Sequence, residues 1–139
     1  MQPVSGVQVF GIRLGILALA VYWCILFTGT HLPKLPSAMP RMNDKVLHFL
    51  AFFGLAMLLC YCTRSRYLWR RFVSIAAICL GYALFDEWTQ SFVQGRTTDI
   101  FDFAADASGA LLAIGIYAAA RLKWGSFRFS LRRPAPPAS

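Results

Sequence analysis

Negative charge is scarce in this chain: six Asp and Glu stand against 14 Lys and Arg in 139 residues, for a net charge of +8. Several common chemistries are missing as well. No serine sits in a G-x-S-x-G elbow, which disfavours the hydrolases built on that turn. There is no H-E-x-x-H pair and no phosphate-binding P-loop. The four cysteines, Cys24, Cys60, Cys62 and Cys79, all lie in apolar runs. Cys60-x-Cys62 is not a C-x-x-C redox pair and has no histidine at zinc-finger spacing, so inert thiols are expected. Long polar stretches are also lacking. With 58% hydrophobic residues and a mean hydropathy of +0.54, the chain is too apolar for an ordinary soluble domain. Its length favours one domain.

What is present is apolar sequence in four runs, about 10–30, 46–62, 72–85 and 103–120. A membrane-spanning helix needs about 20 mostly apolar residues. The last three runs reach that length only if each helix continues into its polar flank, which draws polar residues into the membrane boundary. The first run's only early positive side chain is Arg13, and no clear A-x-A site follows the run, so an uncleaved anchor fits better than a secretory signal. The expected fold is all-α, a polytopic four-transmembrane-helix bundle. No internal repeat is visible, and four short spans are few for a secondary transporter.

The positive charge is unevenly placed. Arg64, Arg66, Arg70 and Arg71 follow the second run, and Arg121, Lys123, Arg128, Arg132 and Arg133 follow the fourth. Such clusters could meet nucleic acid, but beside apolar spans they suit anionic lipid and set orientation. The positive-inside rule then puts both termini in the cytoplasm and all six acids at the outer face. Trp69 and Trp124 suit the inner interface and Trp88 the outer one. The loop HLPKLPSAMPR reads as extended or turned, and the ending RRPAPPAS as disordered.

Residues 86–109 hold five of the six acids, and Asp106 lies inside an apolar run. A carboxylate in a membrane helix costs roughly 2.5–3.5 kcal/mol on insertion scales, so it has a partner and usually a function. Counted from the flanking arginines, His48 is 16 residues from Arg64, Glu87 is 16 from Arg71, and Asp106 is 15 from Arg121. At 1.5 Å per residue all three lie about 22–24 Å from the inner boundary. Three spans thus bring a His, a Glu and an Asp to one depth. Asp44 and His48, Glu87 and Gln90, and Asp99, Asp102 and Asp106 each share a helix face. Ala105, Gly109 and Ala113 form a small-residue stripe that lets helices approach closely, which predicts a central fourth helix.

DKVLHFLAFFGLA (44–56), DEWTQSFVQGR (86–96) and DIFDFAADASGA (99–110) resemble the VanZ-like family, named for a membrane protein that accompanies glycopeptide-resistance genes and is associated with teicoplanin resistance. The family pattern is D-K-x-x-H-F, then E-x-x-Q-x-x-x-x-x-R, then D-x-x-x-N-x-x-G. It falls here on Asp44, Lys45, His48 and Phe49, on Glu87, Gln90 and Arg96, and on Asp102 and Gly109. Asp106 stands where many members carry Asn, which adds an ionisable group. The resemblance covers about 44–116 and not the first span or the ending; the expected organisation is a single VanZ-like membrane domain over 1–125, with the family motifs within 44–116, and a basic, proline-rich cytoplasmic tail over 126–139. The resemblance implies a bacterial cytoplasmic membrane, a multi-pass chain and a cell-envelope role connected with antibiotic resistance.

Each candidate has a structural and a chemical account. Asn43 or Asp44 can cap the second helix, and His48 can either hydrogen-bond within the bundle or act as proton carrier or metal ligand oriented by Asp44. Glu87 has the weaker structural account, because an acid near a helix C-terminus opposes the macrodipole. A helix continuing to Gln94 with Gly95 as its cap softens that conflict. Asp99 is expected to cap the fourth helix. The catalytic candidates are therefore Glu87, His48, Asp102 and Asp106, and the substrate-binding candidates are Arg96, Lys45, Gln90 and Asp44. Arg96 with the helix N-terminus could hold a phosphate or carboxylate. No cofactor is fixed; a divalent ion, zinc or manganese, on His48, Glu87, Asp102 and Asp106 is one option. Three functions stay open: an outer-face site that binds or modifies an envelope component, an acid/base or metal-assisted enzyme on a lipid headgroup or lipid-linked substrate, and a structural or assembly role. The expected partners are the bilayer and an envelope lipid or peptidoglycan precursor, with no nucleic acid.

Overall fold

Each apolar run folds as a helix, and three of the helices extend well into their polar flanks. The computed structural model describes residues 8–9, 12–32, 41–96 and 98–131. The proline-rich loop at 33–40, Thr97 and the ending at 132–139 lie outside the described residues, as do the side chains of Asn43 and Trp124. A minimal antiparallel ladder, β1 (Gln8–Val9) and β2 (Ile12–Arg13), precedes α1 (Leu14–Thr30). Then come α2 (Arg41–Cys62), α3 (Leu68–Gln90) and α4 (Ile100–Leu131). α4 thus continues through residues 126–131, the start of the expected tail.

Three stretches, Asp44–Cys62, Leu68–Gln90 and Ile100–Lys123, are long and apolar enough to cross a membrane. α1 is a shorter apolar helix of 17 residues, which rises about 25 Å, less than the ~30 Å of a hydrocarbon core. The outward faces are apolar, with Val73, Leu84, Leu111, Leu112 and Ile116 all exposed. Trp69 and Trp88 are exposed at opposite ends of α3. Their separation along the helix is about 28 Å, which sets an aromatic ring at each boundary of a bilayer.

The interior is built around α2 and the expected α4 together. α2 packs against α1, α3 and α4, and its contact with α4 is the most extensive in the molecule. The reason is that α2 turns Phe52, Leu55, Ala56, Leu59 and Cys60 inward on a broad face, against Ile75, Cys79 and Ala83 of α3 and Ala110 and Ala113 of α4. The small-residue stripe of α4 does serve close approach: a β-carbon on Gly109 would collide with the Phe49 carbonyl of α2. Gly54 makes similar room for Tyr22 of α1, whose hydroxyl donates to the Ala51 carbonyl at 2.9 Å.

The buried stripe of α3 reads Arg71, Ile75, Cys79, Ala83, Asp86, Glu87 and Gln90. Its first member departs from the expectation that Arg71 faces the headgroups. Arg71 is buried and donates to the Cys60 carbonyl at the end of α2, to Thr63 Oγ1 at 3.3 Å and to the Tyr117 hydroxyl at 3.4 Å. The carbonyls that a helix leaves unpaired at its last turn explain that inward turn.

α3 stops at Gln90, four residues before the expected Gln94. Bonds from the Val93 N–H to Gln90 O at 2.9 Å and from the Arg96 N–H to Val93 O at 3.1 Å fold the chain into successive turns. Gly95, at φ 79°, supplies the left-handed residue of this connection instead of capping the helix. The turns carry Arg96 back to α1, where its Nε donates to the Leu32 carbonyl at 3.1 Å. All four cysteines are free thiols.

Candidate functional site

The start of α2, the end of α3 and the start of α4 meet at one end of the bundle, and together they hold all six acids of the chain. Two helix N-termini open there, which favours negative charge near Asp44, Asp99 and Asp102. Asp99 caps α4: its Oδ1 accepts the Phe101 N–H at 2.9 Å, while its own N–H donates to Glu87 Oε2 at 3.0 Å. The last turn of α3 is thereby tied to the first turn of α4.

Below this cap lies the core of the site. His48 Nδ1 hydrogen-bonds Asp106 Oδ1 at 3.0 Å, with His48 5% exposed and Asp106 fully buried. Glu87 joins them: His48, Glu87 and Asp106 each offer one ligand-capable atom, and the three atoms lie within 4.8 Å of one another. Residues expected at one depth from three separate helices are therefore in one cluster. Glu87 Oε1 and Asp106 Oδ2 are buried without a hydrogen-bond partner among the described residues. Leaving a buried polar atom unpaired costs about 1–3 kcal/mol, so the sequence keeps two such atoms, on two residues of one cluster, against stability.

Asp102 is turned to different partners. Lys45 Nζ bridges Asp102 Oδ1 and Asp99 Oδ2, both at 2.8 Å, and sits over the Phe101 ring. Asp102 also forms a second close group with Asp44 and His48. His48 is common to both groups, and the expected ligand set of His48, Glu87, Asp102 and Asp106 is split between them.

The two expected anion holders are committed to protein groups. Lys45 is engaged by two carboxylates, and Arg96 donates to Gln90 Oε1 at 2.8 Å as well as to the Leu32 and Gly29 carbonyls. Gln90 in turn donates to Asp86 Oδ2 at 2.7 Å. Among the described side chains, six carboxylates stand here against Lys45 and Arg96, a balance that favours a cation over a bare anion.

Asp86 was not among the candidates read from the sequence, yet it is fully buried and central to the network. Its Oδ1 accepts the Thr30 hydroxyl at 2.9 Å, which fastens the end of α1 to α3. His31 extends the same seam, with one ring nitrogen 2.9 Å from Thr89 Oγ1 and its ring stacked on Phe27. One signal for Asp86 was available: it stands four residues before Gln90 and three after Ala83, on the inward stripe of α3.

A crevice of about 260 Å³ between α1 and α2 reaches the cluster. Ile25, Leu26, Leu47 and Ala51 form its apolar walls, and Thr30, Asp44, His48 and Arg96 its polar end. Glu87 is approached from the other side by an open groove lined by Leu84, Thr98, Asp99, Ile100 and Phe103.

Fold and site together define a multi-pass helical membrane protein with a buried acidic centre at one end. The VanZ/LLP1 family model matches residues 18–121, and the chain belongs to that family. It is similar to an uncharacterized protein of Schizosaccharomyces pombe, 33% identical over 108 residues, which cover 76% of this chain and 64% of that protein. The chain thus spans somewhat less than two thirds of that relative's length. No solved structure matches.

Proposed function

We propose that this VanZ-family protein acts from the outer face of a bacterial cytoplasmic membrane, where its acidic end binds or alters a lipid or lipid-linked component of the cell envelope and so contributes to glycopeptide tolerance, teicoplanin included. The observation that carries this reading is the His48–Glu87–Asp106 cluster, which leaves two buried carboxylate oxygens unpaired among the described residues and presents His48 at the polar end of a crevice with apolar walls. An amphiphile suits such a crevice: its chain lies against Ile25, Leu26, Leu47 and Ala51, and its headgroup reaches Asp44, His48 and Arg96. Exposed Arg64, Arg66, Arg70, Arg121 and Lys123 at the opposite end support cytoplasmic termini by the positive-inside rule.

One observation favours an acid/base enzyme over a simple binder. With Asp106 accepting from Nδ1, the other nitrogen of His48 is left as a base, an orientation that a carboxylate commonly imposes on a working imidazole. Glu87 would be the second proton-transfer group.

The test replaces Glu87→Gln and His48→Ala and compares membrane abundance, teicoplanin susceptibility and envelope-lipid composition. Near-normal abundance with lost tolerance or altered lipid is the expected result. Abundance falling in step with phenotype would instead make the polar residues interhelical glue, whose hydrogen bonds average about 0.6 kcal/mol in membrane bundles.

A further inference from the structure

The geometry points to a divalent transition-metal site at His48, Glu87 and Asp106, and we propose that this cluster holds one Zn²⁺ or Mn²⁺ ion per chain. The inference deepens the functional reading above, since it names an occupant for the same cluster.

Three independent helices supply the ligands, one each from α2, α3 and α4, and their donor atoms converge within 4.8 Å. A convergence of acids alone would not suffice. Here Glu87 is 8% exposed and Asp106 fully buried, and each keeps one oxygen with no partner among the described residues. The remaining oxygens are fixed: Glu87 Oε2 by the Asp99 N–H at 3.0 Å and Asp106 Oδ1 by His48 Nδ1 at 3.0 Å.

The ligand chemistry selects the ion. One imidazole with two carboxylates suits zinc or manganese, whereas magnesium and calcium prefer oxygen alone. Charge argues in the same direction. Lys45 is already shared by Asp99 and Asp102, and Arg96 by Gln90 and two carbonyls, so neither is free to neutralise Glu87 and Asp106. An ion at this position would also let an acidic centre accept a phosphate-bearing headgroup through the crevice at His48, which carboxylates alone would repel.

The experiment uses the full chain, purified in detergent, stripped with chelator and titrated with Mn²⁺ alone while the electron paramagnetic resonance signal is followed. One Mn²⁺ per chain is expected, with a ¹⁴N coupling from imidazole, displaced by Zn²⁺ and only weakly by Mg²⁺. Glu87→Gln and Asp106→Asn should each weaken binding by about tenfold or more. Asp99→Asn, which removes a carboxylate outside the cluster, should change it by less than about threefold, as a screened charge would. No stoichiometric ion on the folded wild-type chain, an ion without nitrogen coupling, or equal weakening by Asp99→Asn and Glu87→Gln would each overturn the site. If the variants do not fold, the wild-type stoichiometry and nitrogen signal decide alone. The two readings fail separately: an ion that binds while His48→Ala leaves tolerance intact sinks the functional reading, and lost tolerance with no ion bound sinks only the metal.

Discussion

One face of α3 carries buried charge at both ends, and the two ends treat it differently. At the Arg71 end, each contact of the guanidinium is internal: a helix-terminal carbonyl, the Thr63 hydroxyl, the Tyr117 hydroxyl, and the rings of Phe72 and Tyr117. At the Glu87 end, hydrogen bonds are just as numerous, yet two carboxylate oxygens are left over. A buried charge whose bonds are all met is accounted for by packing. One that is buried and incompletely met has room for a further partner. The comparison therefore sets a closed pole, held by packing, against an open one on which the proposed function rests.

The strongest challenge to this division comes from the helix contact that supports both poles. Gly109→Leu forces a side chain into the Phe49 backbone. Overpacking of this kind costs about 1–3 kcal/mol or more, so membrane abundance and the detergent melting temperature should both fall sharply. Unchanged melting would show that α2 and α4 do not touch there. Arg71→Ala should cost about 1–3 kcal/mol by stranding the Cys60 carbonyl, read as a lower melting temperature. Tolerance per folded molecule should be unaffected, and a loss of tolerance at normal stability would erase the distinction between the ends. The smallest effect is expected from Arg70→Ala. Its guanidinium lies over the Tyr67 and Trp69 rings at 5.0 and 5.4 Å on the exposed side of α3. Melting should shift by no more than about 0.5 kcal/mol in stability, and a larger change would mean that the basic pole is held by its surface as well as by Arg71.

The helical bundle was legible because apolar runs and their arginine flanks set length and position. The meeting of His48, Glu87 and Asp106 was legible for the same reason: rise per residue fixes depth, and depth alone brought three helices to one level. What sequence periodicity did not give was direction. Arg71 sits in a basic cluster and reads as a headgroup contact, yet the open carbonyl end of α2 draws it inward. Asp86 reads as the last residue of an apolar run, and only its bond to Thr30 shows that it joins α1 to α3. Ending α3 at Gln90 required Arg96 to reach back to Leu32, a pairing across more than 60 positions that no local pattern encodes. α2 shares the central place expected of α4, because the small stripe on α4 marks where α2 comes close and α2 also packs against α1.

The touch of Gly109 on Phe49 has a mechanical consequence. Phe49 adjoins His48 in sequence, and Gly109 is three residues from Asp106, so the two backbones meet within roughly one turn, about 5 Å, of the paired side chains. The other end of the same pair is fastened by Arg71, which bonds both the Cys60 carbonyl of α2 and the Tyr117 hydroxyl of α4. The pair is thus riveted at two points along its length, and the histidine and the aspartate sit beside one of them, where a change of bilayer thickness has least purchase on their spacing.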